Sequence, residues 1–345
     1  MKNAAVFMTG INKLETREVP MPEIKNDEVL IKLEYVGICG SDVHYLEHGK
    51  IGDFVVDGDF ILGHECSGIV EKLGSNVKHL KIGDKVALEP GQTCGVCEFC
   101  KTGRYNLCPD VIFLATPPYQ GCLMKYIAYP ENMAFKLPDN MSTKEGSLVE
   151  PFAVGLHSVK LGEVTLGSSV VILGAGCIGL MTLLAAKTFG ASDITVVDIL
   201  DNRLEAAKKL GATRVINGKD KNAVDEILAL TDGIGVDVVF ETAGAEITIS
   251  QTPYLVKAGG TIVLVGMAPT DIIPFNISKI LAKEAQIKSV FRYRNIYPQA
   301  IAAISNGIAD VSEIVSNEFD FEQTKEAFDF VINNKADVVK AVIKL

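Results

Sequence analysis

Apolar positions along this 345-residue chain follow two different rhythms. Up to about Pro151 they come in short runs, such as EVLIKLEYV at residues 28–36 and SGIVEKLG at 67–74, separated by stretches rich in Gly, Pro and charge. These runs read as strands, and the stretches between them as turns and loops. The first part is expected to be a β-rich domain with long functional loops.

After about Gly155 the rhythm changes. SVVILGAG (169–176) predicts a buried strand running into a glycine turn, and CIGLMTLLAAKTFGA (177–191) has the length and composition of a helix. DITVVD (193–198) predicts the next strand, and NRLEAAKKLGA (202–212) a helix ended by glycine. GVDVVFETAG (235–244) and GGTIVLVGM (259–267) read as further strands with helical segments between them. Such alternation implies an α/β domain, a parallel sheet covered on both faces. From FRYRN (291–295) onward the rhythm breaks again. YPQAIAAISNG and FEQTKEAFDFVINN predict helices, and VVKAVIKL a closing strand.

Length supports the division, because 345 residues exceed one typical hydrophobic core. A formal charge of −10 argues against nucleic acid or an anionic membrane as the main partner, since both attract basic surfaces. No run approaches the ~20 apolar residues of a membrane span, and the first twenty residues lack a signal peptide's apolar centre. A cytoplasmic protein is expected. Four of the eight cysteines crowd between Cys94 and Cys108, which in a reducing compartment favours metal over disulfides.

GAGCIG places Gly174, Gly176 and Gly179 in the G-x-G-x-x-G spacing, with Ile178 before the last glycine. The spacing alone is common, but here it follows a predicted strand and opens a predicted helix. The first glycine permits the tight turn, the second lets a pyrophosphate approach the backbone, and the third lets helix and strand pack closely. Asp198 ends the next predicted strand, where a carboxylate can accept from adenosine ribose hydroxyls and repel the 2′-phosphate of NADP. A turn cap is the plainer role for Asp198. Arg203 nearby pulls the other way, toward a 2′-phosphate; on balance the expected cofactor is NAD.

Cys94, Cys97, Cys100 and Cys108 stand as C-x2-C-x2-C-x7-C. Four thiolates enclose Zn²⁺ and leave no open position, so a structural zinc is expected there. A second site is distributed: Cys39 in VGICGSDVHYLEHGK, His64 and Glu65 in GHECSG, and Glu150 in LVEPFAVG. A thiolate, an imidazole and one or two carboxylates can hold zinc with one position open, where the cation would help a bound alcohol lose its proton.

GICGSDVHY, GHECSG, the four-cysteine segment and GAGCIG occur in the order found in zinc-dependent medium-chain alcohol dehydrogenases, and the resemblance covers essentially the whole chain. GRYNLC, ATPPYQG and VFRYRN resemble the polyol branch, typified by sorbitol and xylitol dehydrogenases. The resemblance implies a GroES-like catalytic domain at residues 1–153 and 292–345 and a Rossmann, doubly wound NAD-binding domain at 154–291. It implies one catalytic and one structural zinc, with Cys39, His64 and Glu65 at catalytic-zinc positions. Glu150 stands either as a further ligand or as holder of a zinc-bound water. Ser41 and His44 match proton-relay positions, and Tyr45, Phe113, Thr116, Arg292 and Tyr293 match positions lining the polyol pocket. Tyr45 and Phe113 also admit a packing role, and Arg292 a surface ion pair. His48, His79 and His157 match no ligand position, and Cys66, Cys122 and Cys177 read as packing residues, with His157 and Cys177 near expected cofactor elements. A homodimer or homotetramer is the family's usual assembly.

The implied reaction is reversible oxidation of a secondary hydroxyl of a sorbitol- or xylitol-type polyol to the ketose. The nearest alternatives are another diol such as butanediol, or a polyol phosphate read by Arg292 and Arg294. A more distant one is a non-catalytic NAD-binding protein with purely structural zinc.

Overall fold

The computed structural model describes residues 2–268 and 270–345. Two compact units emerge: Met1–Glu150 with Tyr297–Asn306 and Val315–Leu345, and Pro151–Ile296 with Gly307–Ile314.

The first unit is built on a seven-stranded sheet whose central strand, Glu28–Ile38, is flanked by Glu65–Leu73 and by the closing strand Lys340–Lys344. Both neighbours run antiparallel to it. Val29, Ile31, Leu33 and Val36 of the central strand enter a core shared with Leu62, Leu88 and Tyr129. The Tyr129 hydroxyl donates to the Glu89 carbonyl at 2.7 Å, so its buried polar end is satisfied. Register matters most at the strand's end, where Gly37 faces Glu65 and Ile38 faces Ala341. Residues from three distant parts of the chain thereby reach one corner. The strand expected at 67–74 begins earlier, at Glu65, which puts that carboxylate inside the sheet.

The second unit holds six parallel strands in the order Arg214–Asn217, Asp193–Asp198, Ser169–Leu173, Val236–Glu241, Val256–Leu264, Gln286–Ser289. This is the doubly wound order in which the chain reverses direction beside the first strand. Val171, Leu173, Val197, Val239 and Ile262 are buried in its core, which is why these strands read as continuous apolar runs. The helix Cys177–Thr188 follows the first strand directly, shorter than the 177–191 expected because Phe189 and Gly190 form its end.

The units divide the chain at Glu150/Pro151 and Ile296/Tyr297 rather than at 153/154 and 291/292, and residues 307–314 group with the parallel sheet. FRYRN and Ile296 continue from the edge strand Gln286–Ser289. Tyr297 marks the return, since its hydroxyl donates to the Leu88 carbonyl at 2.8 Å and its ring packs on Phe135. Nothing in the sequence pattern separates 307–314 from its neighbours. Among the described residues no helix is long and apolar enough to cross a membrane.

Candidate active site and metal centres

Cys39 ends the central strand's path and caps the helix Gly40–His48. Glu65 begins the adjacent strand with His64 just before it, and the ligand atoms of all three residues lie within 4.8 Å of one another. That spacing, with one thiol, one imidazole and one carboxylate, fits a zinc ion with a position left open. Glu150 is buried near the start of the helix Val149–Leu161 but lies outside this group.

Asp42, which the sequence reading passed over, organises the cluster. Its carboxylate accepts the Cys39 and Gly63 N–H groups at 2.9 Å each, and its Oδ1 stands 3.6 Å from His64 Nδ1. Burial opposes charge on Asp42, but His64 and the two N–H groups outweigh it and hold the carboxyl below its usual range. Burial likewise opposes a charged His64, while Asp42 and then Cys39 raise its pKa well above the usual imidazole value. With Nδ1 turned toward Asp42, Nε2 is the nitrogen left for a metal, the usual carboxylate–histidine–metal arrangement. The available signal was an aspartate three residues after Cys39, the position of a reciprocal helix cap.

Lys340 is the second missed residue. Its ammonium donates to both Glu65 oxygens at 2.7 Å and to the Ile38 carbonyl at 3.1 Å, with both side chains buried. No local signal marks a lysine inside the apolar run VVKAVIKL for burial.

Ser41 is half-buried in the first turn of the helix Gly40–His48, and His44 is exposed on it. His44 stacks edge-on against His48 at 4.5 Å between ring centres. Partial burial and then His48 lower the His44 pKa. Tyr45 is 3% exposed and its ring packs beside Phe60. Phe113 stands 5.9 Å from the His64 ring, and Thr116 follows it in a tight turn whose N–H bonds back to the Phe113 carbonyl. Cys66 and Cys122 are buried in the same core.

The four-cysteine segment folds around its sulfurs. All four ligand atoms lie within 4.8 Å of one another, with Cys94–Cys108 at 3.5 Å and Cys94–Cys100 at 4.0 Å. A tetrahedral ion with Zn–S bonds near 2.3 Å sets its sulfurs about 3.8 Å apart, so the cluster fits zinc. Backbone N–H groups of Val96 and Cys97 pull the Cys94 thiol down to about 7, while burial pushes the Cys108 thiol up to about 11. Apolar packing contributes little here, since Val96 and Leu107 are exposed. Tyr105 ties the segment to the sheet by donating to Glu89 Oε1 at 2.7 Å.

In the second unit Gly174 adopts φ +101°, and a Cβ on Gly179 would stand 1.9 Å from the Gly174 carbonyl oxygen. A Cβ on Gly176 would meet nothing nearer than Arg203 Nη1 at 3.9 Å, so this backbone is open to close approach. Asp198 accepts from Ala175 N at 2.6 Å and from Ile199 and Leu200 at 2.7 and 3.0 Å. The turn therefore has the form that holds a dinucleotide pyrophosphate, with Asp198 bracing it. Arg292 adopts φ +56° with its guanidinium over the Phe291 ring, and Tyr293 is buried. His157 is buried in the helix Val149–Leu161; burial first, then Arg294 and Lys160, push it down to about 4, so it is neutral.

A GroES-like unit carrying two zinc-type ligand clusters, joined in one chain to a doubly wound dinucleotide fold, defines a zinc-type dehydrogenase. Residues 25–139 match the alcohol dehydrogenase GroES-like domain and residues 177–306 the zinc-binding dehydrogenase family. The chain is 49% identical to the uncharacterized zinc-type alcohol dehydrogenase-like protein YdjJ of Escherichia coli K12, over 100% of this chain and 99% of that protein. It is 45% identical to the sorbitol dehydrogenase of Bacillus subtilis, over 99% and 97% of the two chains. A crystal structure of an Escherichia coli oxidoreductase/dehydrogenase of unknown specificity involved in membrane biogenesis superposes with a TM-score of 0.96 at 48% identity, covering 100% and 99% of the chains. The chain belongs to the zinc-dependent medium-chain dehydrogenase family, within its polyol branch. It is a zinc-dependent, NAD-linked dehydrogenase.

Proposed function

We propose that the protein reversibly oxidises a secondary hydroxyl of a sorbitol- or xylitol-type polyol to the ketose, with NAD receiving the hydride. The observation that carries the reading is the convergence of Cys39, His64 and Glu65 within 4.8 Å in a chain that also bears the Asp198-braced glycine turn. Cys39, His64 and Glu65 hold the catalytic zinc, and Cys94, Cys97, Cys100 and Cys108 the structural one. The zinc, when bound, acidifies the reacting hydroxyl.

The chain's own residues do the rest. Asp42 fixes the His64 ring. Glu150, outside the converging group, holds water or a substrate hydroxyl rather than the metal. Ser41 accepts the hydroxyl proton as it releases its own toward His44, which is exposed and neutral near pH 7 and passes a proton to solvent. Tyr45, Phe113, Thr116, Arg292 and Tyr293 supply the contacts that distinguish a polyol from a simple alcohol, a discrimination that buried polar groups make large. Gly174, Gly176, Ile178 and Gly179 seat the pyrophosphate, while Asp198 binds the ribose and Arg203 stands beside it. A cytoplasmic homo-oligomer goes with this reading.

The test is relative kcat/KM for sorbitol, xylitol, galactitol, butanediol and a polyol phosphate, run alongside zinc analysis. Highest efficiency with an unphosphorylated polyol and two zincs per chain supports the proposal. Preference for butanediol or the phosphate moves the substrate class, and one zinc with no NADH from any alcohol ends the catalytic reading.

A further inference from the structure

The Lys340–Glu65 contact joins the metal-ligand group to a part of the chain that the proposed mechanism leaves idle. Glu65 belongs to the three-residue group whose ligand atoms lie within 4.8 Å of one another. The same carboxylate receives the Lys340 ammonium on both oxygens at 2.7 Å. Side-chain exposure is 3% for Lys340 and 1% for Glu65, so neither charge is screened by water.

Sheet register creates this arrangement. Gly37 faces Glu65 on one side of the central strand, and Ile38 faces Ala341 on the other, so Lys340 lies one residue beyond that pair. The ammonium also donates to the Ile38 carbonyl, the residue immediately before Cys39. Gly37 leaves the room: a Cβ there would stand 2.0 Å from Glu65 Oε2. The carboxylate is thus confined among a glycine face, an ammonium and the other two ligands.

We infer that Lys340 is a positioning residue that competes with zinc for the Glu65 carboxylate and so sets how firmly the Cys39–His64–Glu65 site holds its metal. The inference rests on the ligand assignment made above. Zinc with one thiolate and one carboxylate is formally neutral; the lysine adds one positive charge beside it and draws the carboxylate's electron density away. Losing that charge frees Glu65 for the metal. It also leaves the metal-free site with an uncompensated buried carboxylate. Both effects strengthen zinc binding, so the sign does not depend on which is larger.

The experiment compares the parent, Lys340→Met, Glu65→Gln and the double variant, using zinc competition against a chelator. A second measurement takes the visible spectrum with Co²⁺ at the Cys39 site and zinc kept in the four-cysteine segment. Lys340→Met is expected to bind zinc about tenfold or more tightly, the scale of outer-shell effects on metal sites, and to shift the cobalt bands. In the Glu65→Gln background the same substitution should change both much less. Lys340→Gln, which keeps a donor without the charge, gives the same reading with a smaller shift if the methionine variant fails to fold. Parent-like affinity and spectrum in Lys340→Met or Lys340→Gln would overturn the inference, as would an equal change in the Glu65→Gln background. Two zincs in the parent with either result overturn this inference alone; zinc confined to the four-cysteine segment overturns the ligand assignment beneath it as well.

Discussion

Asp198 Oδ2 accepts the Ala175 N–H at 2.6 Å, so a carboxylate at the end of one strand closes the glycine turn at the end of its neighbour. Its other oxygen accepts from Ile199 and Leu200. A carboxylate offers about four lone-pair sites, which leaves capacity for a ribose hydroxyl.

Asp198→Ala should therefore act twice. Loss of the ribose acceptor and of the turn brace should lower kcat/KM for NAD by about 10- to 100-fold, the range for charge-assisted hydrogen bonds. Efficiency with NADP should fall less, because the repulsion of its 2′-phosphate is gone too. Steady-state kinetics with both cofactors checks this; an unchanged NAD-to-NADP ratio would leave Asp198 with the turn role alone.

Asp42→Asn removes the charge facing His64 Nδ1 while keeping the shape of the cap. Zinc affinity of the Cys39 site should drop about 10- to 100-fold, with the four-cysteine segment keeping its metal. Metal analysis after graded chelation measures both. Equal loss from the two sites would point to general unfolding instead.

Glu89 gives a pH signature. Burial pushes its carboxyl up to about 7 despite the Tyr105 hydrogen bond, against 4.5 for the free group. Between those values the folded chain keeps a proton that the unfolded chain has lost. Stability from this group is full below about 4.5, declines as pH rises toward 7, and is flat above, by about 3 kcal/mol in all. Glu89→Gln, which cannot ionise, should gain thermal stability relative to the parent as pH goes from 5 to 8. Melting temperatures across that range decide it: a gap that stays constant means Glu89 titrates at an ordinary value.

Legibility in the sequence followed range along the chain. The glycine turn, the four-cysteine segment and the Cys39 and His64–Glu65 motifs were readable because each is a short spacing that one local element fixes. Asp42 was readable in principle, three residues into its helix, yet its meaning depends on Gly63 and His64, which the sheet brings up from elsewhere. Tyr45 shows the converse: the resemblance places it at a pocket position, and only the fold shows that its ring also packs beside Phe60.

Lys340 marks the limit most clearly. It and Lys344 lie four residues apart, on the same face of one strand by alternation, yet Lys340 is buried and Lys344 exposed. Pattern assigns a face; only the register against Glu28–Ile38 decides which lysine meets Glu65. The sequence by itself determined the two folds, the cofactor turn and the metal-binding motifs, because hydrophobic period and ligand spacing are local properties. Tertiary structure alone decided the charges packed around the Cys39–His64–Glu65 group and the orientation of the His64 ring. Buried electrostatics depends on contacts between residues as far apart as Glu65 and Lys340, and no local pattern encodes such a pairing.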